Sequence, residues 1–124
     1  MAVFVDTSAL YALLDADDAG HHEAAERWRH GMSGGETFVC HNYILVETSA
    51  LVQRHLGMEA VKDFEESIVP VLRVVWIDRE IHEAALAALL AVGKRTLSLV
   101  DCVSLEVMRR AGIRTALSLD PHLC

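Results

Sequence analysis

Short apolar runs of strand length alternate with longer helical segments along this chain, and that alternation leaves few folds open. Residues 2–5 read Ala-Val-Phe-Val and residues 37–40 read Thr-Phe-Val-Cys. Residues 71–77 are rich in β-branched side chains, and residues 114–119 form a fourth run before Asp120-Pro121. Such short continuous runs suit strands covered on both faces. Between them, helical patterning marks residues 7–14, 21–30, 42–56, 59–68, 79–92 and 99–111. Gly57, Gly93 and Gly112 close three of these helices, and Pro70 follows a fourth. Strands alternating with helices build parallel βαβ units with right-handed crossovers. The expected class is therefore α/β, with ligands received beyond the carboxyl ends of the strands.

Four carboxylates break this apolar pattern. Asp6 ends the first run, and Asp120 follows the last. Asp101 follows Leu97-Ser98-Leu99-Val100 in the first turn of a helix. Glu47 shares a helix face with Tyr43, Ile44, Ala50 and Leu51. A charge in apolar surroundings is costly unless it is paired, hydrogen-bonded or bound to a metal. No basic residue adjoins any of the four in sequence, which points to a hard divalent cation with oxygen ligands. Each acid also has a plainer explanation. Asp6 can cap a helix, and Ser98-x-x-Asp101 fits a capping box. Asp120-Pro121 can start a turn, and Glu47 can reach out to solvent. What favours the metal is that all four fall near one edge of the expected sheet.

Composition narrows the function classes. The 124 residues suit one domain, and an apolar content of 52% is too high for disorder. No apolar run approaches the roughly 18 residues of a membrane span. With no basic segment before residue 2, no secretory leader is expected. Cys40, Cys102 and Cys124 are scattered, without zinc-like spacing, and a reduced cytoplasm is the expected compartment. A net charge of −7 argues against broad electrostatic binding of nucleic acid. The basic clusters are Arg27/Arg29, Lys94/Arg95 and Arg109/Arg110/Arg114. His21-His22 point about 100° apart on a helix, so they do not share a metal. Ser8 lacks the setting of a serine hydrolase nucleophile.

Taken together, Val3-Phe4-Val5-Asp6-Thr7-Ser8-Ala9-Leu10, the helix residue Glu47, Leu97-Ser98-Leu99-Val100-Asp101 and Ala116-Leu117-Ser118-Leu119-Asp120-Pro121-His122 resemble a PIN domain. The likeness is nearest to VapC-type toxins of toxin–antitoxin pairs. It runs over essentially the whole chain, so residues 1–124 are expected to form one PIN-like domain. The resemblance implies a three-layer α/β/α fold around a parallel sheet of about four strands. It implies an endoribonuclease dependent on Mg²⁺ or Mn²⁺, the toxin of a type II pair. Asp6, Glu47, Asp101 and Asp120 then correspond to the family's acids. Asp6 and Asp101 would be the most direct metal ligands, and Glu47 and Asp120 would act directly or through water. Thr7 or Ser8, and Ser98 near Asp101, would organise the site. The implied partners are an RNA substrate, an antitoxin whose tail fills the acidic groove, and a second copy of the chain. The helices after Asn42 and Glu59 are candidates for the dimer contact. Leu123 stands where the family often carries an aromatic. A contrasting expectation, motivated by the acidic balance and the short C-terminus, is a protein-binding or regulatory module with a weak metal site. A small phosphatase ranks last, because residues 6–8 read Asp-Thr-Ser rather than Asp-x-Asp.

Overall fold

The computed structural model describes residues 1–119; the expectation for Asp120 therefore lies outside the described residues. Four strands, β1 (Ala2–Val5), β2 (Thr37–His41), β3 (Leu72–Val75) and β4 (Ala116–Leu117), form one sheet in the order β3-β2-β1-β4. Every pairing is parallel, with Phe4 in register with Val39 on one side and Ala116 on the other. Val3, Phe4 and Val5 are buried because β1 has a strand on each flank and helices on both faces. Arg73 is tolerated because β3 is an edge strand, and its side chain is exposed.

The helices are α1 (Thr7–Leu14), α2 (His21–Ser33), α3 (Asn42–Leu56), α4 (Met58–Asp63), α5 (Arg79–Val92) and α6 (Leu99–Ala111). The chain runs outward from β1 to β2 to β3, then returns past β1 to add β4. Right-handed crossovers in opposite directions put their helices on opposite faces. Accordingly α1 packs on α2 and α3 in one layer, while α5 packs on α6 in the other. The three-layer parallel α/β fold expected from the sequence is the one observed. The core between the layers includes Phe4, Leu10, Phe38, Ile44, Phe64 and Val103. Each such side chain contributes roughly 1.5–3 kcal/mol on burial.

Several element limits differ from the sequence expectation, for local reasons. The third strand spans Leu72–Val75 rather than 71–77. Its partner β2 ends at His41, opposite Val75, so nothing remains for residues 76 and 77 to pair with. Ile77 N–H instead donates to Asn42 Oδ1 at 2.6 Å. At the other end, Pro70 sits in a 3₁₀ turn, Val69–Val71. The helix expected over 59–68 splits into α4 and a π-helical turn, Phe64–Ile68. The helix expected to stop at residue 30 continues to Ser33, through Gly31. That glycine serves close packing rather than termination: a Cβ there would lie 2.5 Å from Phe38 Cζ. The last strand is two residues long rather than six, because β1 offers it only Phe4 and Val5. Trp28 stacks on Phe38 at 4.4 Å, whereas Trp76 is 71% exposed and plays no part in the core.

Candidate active site

β1 runs directly into α1, so Asp6 is both the end of a strand and the cap of a helix. Its backbone is extended, and Oδ1 accepts hydrogen bonds from Ala9 N–H at 3.2 Å and Ser8 Oγ at 2.7 Å. Oδ2 accepts from Ser118 Oγ at 2.5 Å. Ser8 Oγ in turn accepts from Leu119 N–H at 2.8 Å. These bonds join the chain just past β1 to the chain just past β4, where the crossovers change direction. Grooves at such switch points are the usual ligand sites of open parallel sheets.

The second wall comes from α6. Ser98 Oγ accepts from Asp101 N–H at 3.0 Å, and Asp101 Oδ2 accepts from Ser98 N–H at 3.1 Å. The capping box read from the sequence is thus formed. It leaves Asp101 Oδ1 without a hydrogen bond among the described residues, and the residue is half-buried. The third wall is α3, where Glu47 is half-buried one turn beyond the fully buried Ile44.

Asp6, Thr7, Ser8, Ile44, Glu47, Val100, Asp101 and Ser104 line one small pocket of about 40 Å³. At about 10–15 Å³ per water-sized particle, that holds an ion with a water or two. Of the sequence-predicted residues, Asp6, Glu47, Asp101, Thr7 and Ser8 meet there. Ser98 does not line the pocket; it is exposed and acts through the cap on Asp101. Ser104 and Ser118 were not singled out from sequence. Ser104 sits one turn after Asp101 on the same helix face, a spacing that marks it as a neighbour. Ser118 carries no comparable local signal, because only the placement of β4 brings it to Asp6.

His41, in contact with the pocket residue Ser104, was also missed. It is fully buried and caps α3, with Nδ1 accepting from Ile44 N–H at 3.3 Å. Its Nε2 lies 2.9 Å from Ser104 Oγ, which donates to Val100 O at 3.0 Å. Burial pushes its pKa down to about 4, so the ring is neutral near pH 7. Burial also pushes the Cys40 thiol up to about 12 and raises Cys102, which makes both poor nucleophiles. His21 Nδ1 meets Ala12 O at 2.7 Å, tying α2 to α1, so this histidine has a structural partner.

The donor set has the chemistry of a hard cation site: carboxylates and hydroxyls, with no sulfur or imidazole in the lining. Thr7 Oγ1, more than nine-tenths buried in that lining, has no hydrogen-bond partner among the described residues. Such an orphaned oxygen fits an ion or its water. No three His, Cys, Asp or Glu side chains among the described residues stand close enough together to hold a metal by themselves.

The chain belongs to the PIN domain family, whose match covers residues 3–124 and so both the sheet and the pocket at its carboxyl edge. Among its relatives is the 23S rRNA-specific endonuclease VapC20 of Mycobacterium tuberculosis. That protein, from strains CDC 1551 / Oshkosh and H37Rv, is 34% identical over 119 residues, covering 95% of this chain and 88% of the relative. The crystal structure of Mycobacterium tuberculosis VapC20, described as a sarcin-ricin loop cleaving toxin, superposes with a TM-score of 0.86 at 33% identity. That match covers 96% of this chain and 90% of the other.

Proposed function

We propose that the protein is a metal-dependent endoribonuclease acting as the toxin of a toxin–antitoxin pair. The observation that carries this reading is the convergence of Asp6, Glu47 and Asp101 on one oxygen-lined pocket at the carboxyl edge of the sheet. Likeness to an rRNA-cutting relative over 95% of the chain supports it and makes ribosomal RNA the first substrate to test. Mg²⁺ or Mn²⁺ is the implied cofactor, supplying a Lewis acid and a more acidic water for attack on a phosphodiester. Asp6 and Asp101 are the residues assigned to hold it. Glu47, on the facing helix, is placed to accept a proton or orient a water. Asp120 is assigned a supporting role from sequence alone. Ser8 and Ser118 fix the Asp6 carboxylate by hydrogen bonds, and Ser98 fixes that of Asp101.

The partners follow from the same reading: RNA, a cognate antitoxin and a second copy of the chain. An exposed apolar groove bordered by Leu45, Val46, Ala50 and Trp76 supports assigning the homodimer contact to α3 and the end of β3. No helix among the described residues is long and apolar enough to cross a membrane, and cytoplasmic action is inferred.

The test is cleavage of total RNA by purified protein with Mn²⁺ or Mg²⁺, against EDTA and against Asp6→Asn. Asparagine keeps an acceptor for the helix cap, and circular dichroism checks that the variant is folded before its cutting is read. Loss of several kcal/mol of electrostatic stabilisation predicts a fall of at least about 100-fold in cutting. Equal cutting by the variant defeats the assignment. A second reading, a binding module with a weak site, is favoured by one observation: both Asp6 oxygens and one of Asp101 are already engaged by amide and hydroxyl donors. Calorimetry showing no uptake of Mn²⁺ selects it.

A further inference from the structure

We propose that His41 is a positioning residue that sets the polarity of one pocket wall: by donating from Nε2 it leaves Ser104 able to offer the pocket a lone pair and no proton. The geometry stands by itself, while its purpose rests on the nuclease reading above.

The assignment follows from counting protons. Nδ1 of His41 accepts from Ile44 N–H, so its lone pair faces that amide and the ring proton of the neutral form sits on Nε2. Nε2–H therefore donates to Ser104 Oγ, 2.9 Å away. A serine hydroxyl has one hydrogen and two lone pairs. Its hydrogen goes to Val100 O at 3.0 Å and one lone pair receives the histidine proton. A single lone pair remains, and Ser104 lines the pocket.

Without the histidine proton Ser104 still has Val100 O as an acceptor, but its oxygen loses one of its two partners and is held on one side only. A hydroxyl so released can turn its hydrogen from Val100 O into the pocket that Asp6, Glu47 and Asp101 share, and a hydrogen bond donated to a carboxylate there would offset part of the negative charge presented to a cation. With His41 in place, the wall is acceptor-only and adds a neutral oxygen to the acids. The same chain of bonds holds the carbonyl of Val100, the residue before Asp101. The ring packs against Phe4 at 5.9 Å and Tyr43 edge-on at 5.8 Å, and it is fully buried. Histidine also does here what the usual capping residues do not. Serine, threonine, aspartate or asparagine at position 41 would cap α3 but are too short to span to Ser104.

The first arm of the test is ¹⁵N NMR of the imidazole in the wild-type protein. We expect a proton on Nε2 and none on Nδ1; a proton on Nδ1 overturns the proposal. The second arm is calorimetry with Mn²⁺. His41→Asn keeps the cap and deletes the Nε2 donor, and Mn²⁺ affinity should fall about 10–100-fold, as for other residues that orient a ligand from behind. Ser104→Ala should lower it comparably, and the double variant should bind no more weakly than the weaker single one, because one unit has been broken. A folded His41→Asn protein with wild-type affinity, or two effects that simply add, refutes the proposal. If neither variant folds, the tautomer decides alone. Wild-type protein that takes up no Mn²⁺ yet shows the expected tautomer refutes the metal reading and upholds the hydrogen-bond chain.

Discussion

Lowering the pH from 7 to 5 should destabilise the protein through His41 by about 2 kcal/mol. The ring has a pKa of about 4 when folded, against 6.5 when solvated. Between those values the unfolded chain binds a proton that the native chain refuses, so acid favours unfolding and stability rises with pH. At pH 5 the unfolded imidazole is almost fully protonated and the buried one is about a tenth protonated, which gives the roughly 2 kcal/mol figure relative to pH 7. The complete shift corresponds to about 3 kcal/mol, reached below pH 4. Glu106, held low chiefly by hydrogen bonds from Arg109 and then Arg110, titrates below its ordinary 4.5. The assay is urea unfolding followed by circular dichroism at both pH values, in wild type and His41→Asn. The variant starts less stable, so the quantity of interest is the pH-induced loss in each protein. Wild type should lose about 2 kcal/mol more than the variant. Equal losses would mean that the buried ring is not what refuses the proton, and the reasoning fails.

Gly31→Ala should cost about 1–3 kcal/mol, read as a lower urea midpoint, because its Cβ would meet Phe38 Cζ at 2.5 Å and Glu36 Oε2 at 2.9 Å. The gain of about 1 kcal/mol in helix propensity does not offset that clash, and an unchanged midpoint would show that Phe38 yields freely. Lys94 and Arg95 are exposed on the segment between α5 and α6 that leads to Ser98, and neither forms an ion pair among the described residues. Replacing both by alanine should raise KM for RNA, leave kcat in place and flatten the salt dependence of binding; an unchanged KM removes them from the RNA path. Trp76→Glu should convert a dimer to a monomer by light scattering, and a wild-type protein that is itself monomeric ends the dimer assignment.

β1 and β2 were legible as short apolar runs, the signature of burial on two faces, and β3 by its β-branched side chains despite Arg73. Their ends were not, because a strand stops where its neighbour stops. Residues 76 and 77 look like β3 in isolation, but β2 has already turned into α3 opposite them. The helix expected over 21–30 runs on through Gly31, because a glycine in sequence shows its freedom and not the ring of Phe38 against it. Asp6, Asp101 and Glu47, which line one pocket, were each marked by a local rule: the end of an apolar run, an acid after an apolar stretch in the first turn of a helix, and helical spacing. For Asp6 and Asp101 the capping explanation weighed against the metal one is realised in the structure, and the cap orients the acid that faces the pocket. Ser118 and His41 depended on long-range pairing that no local pattern announces.

The carboxylate at position 6 is held by a hydroxyl at position 118, so this pocket joins early and late parts of one polypeptide. During translation Asp6 leaves the ribosome long before Ser118 does, and β1 waits for its second neighbour until α6 and β4 have followed. A nascent chain therefore carries the acids without the lattice that aligns them. For a protein proposed to cut RNA, that order of assembly means that the aligned site is complete only after nearly all of the described fold has left the ribosome.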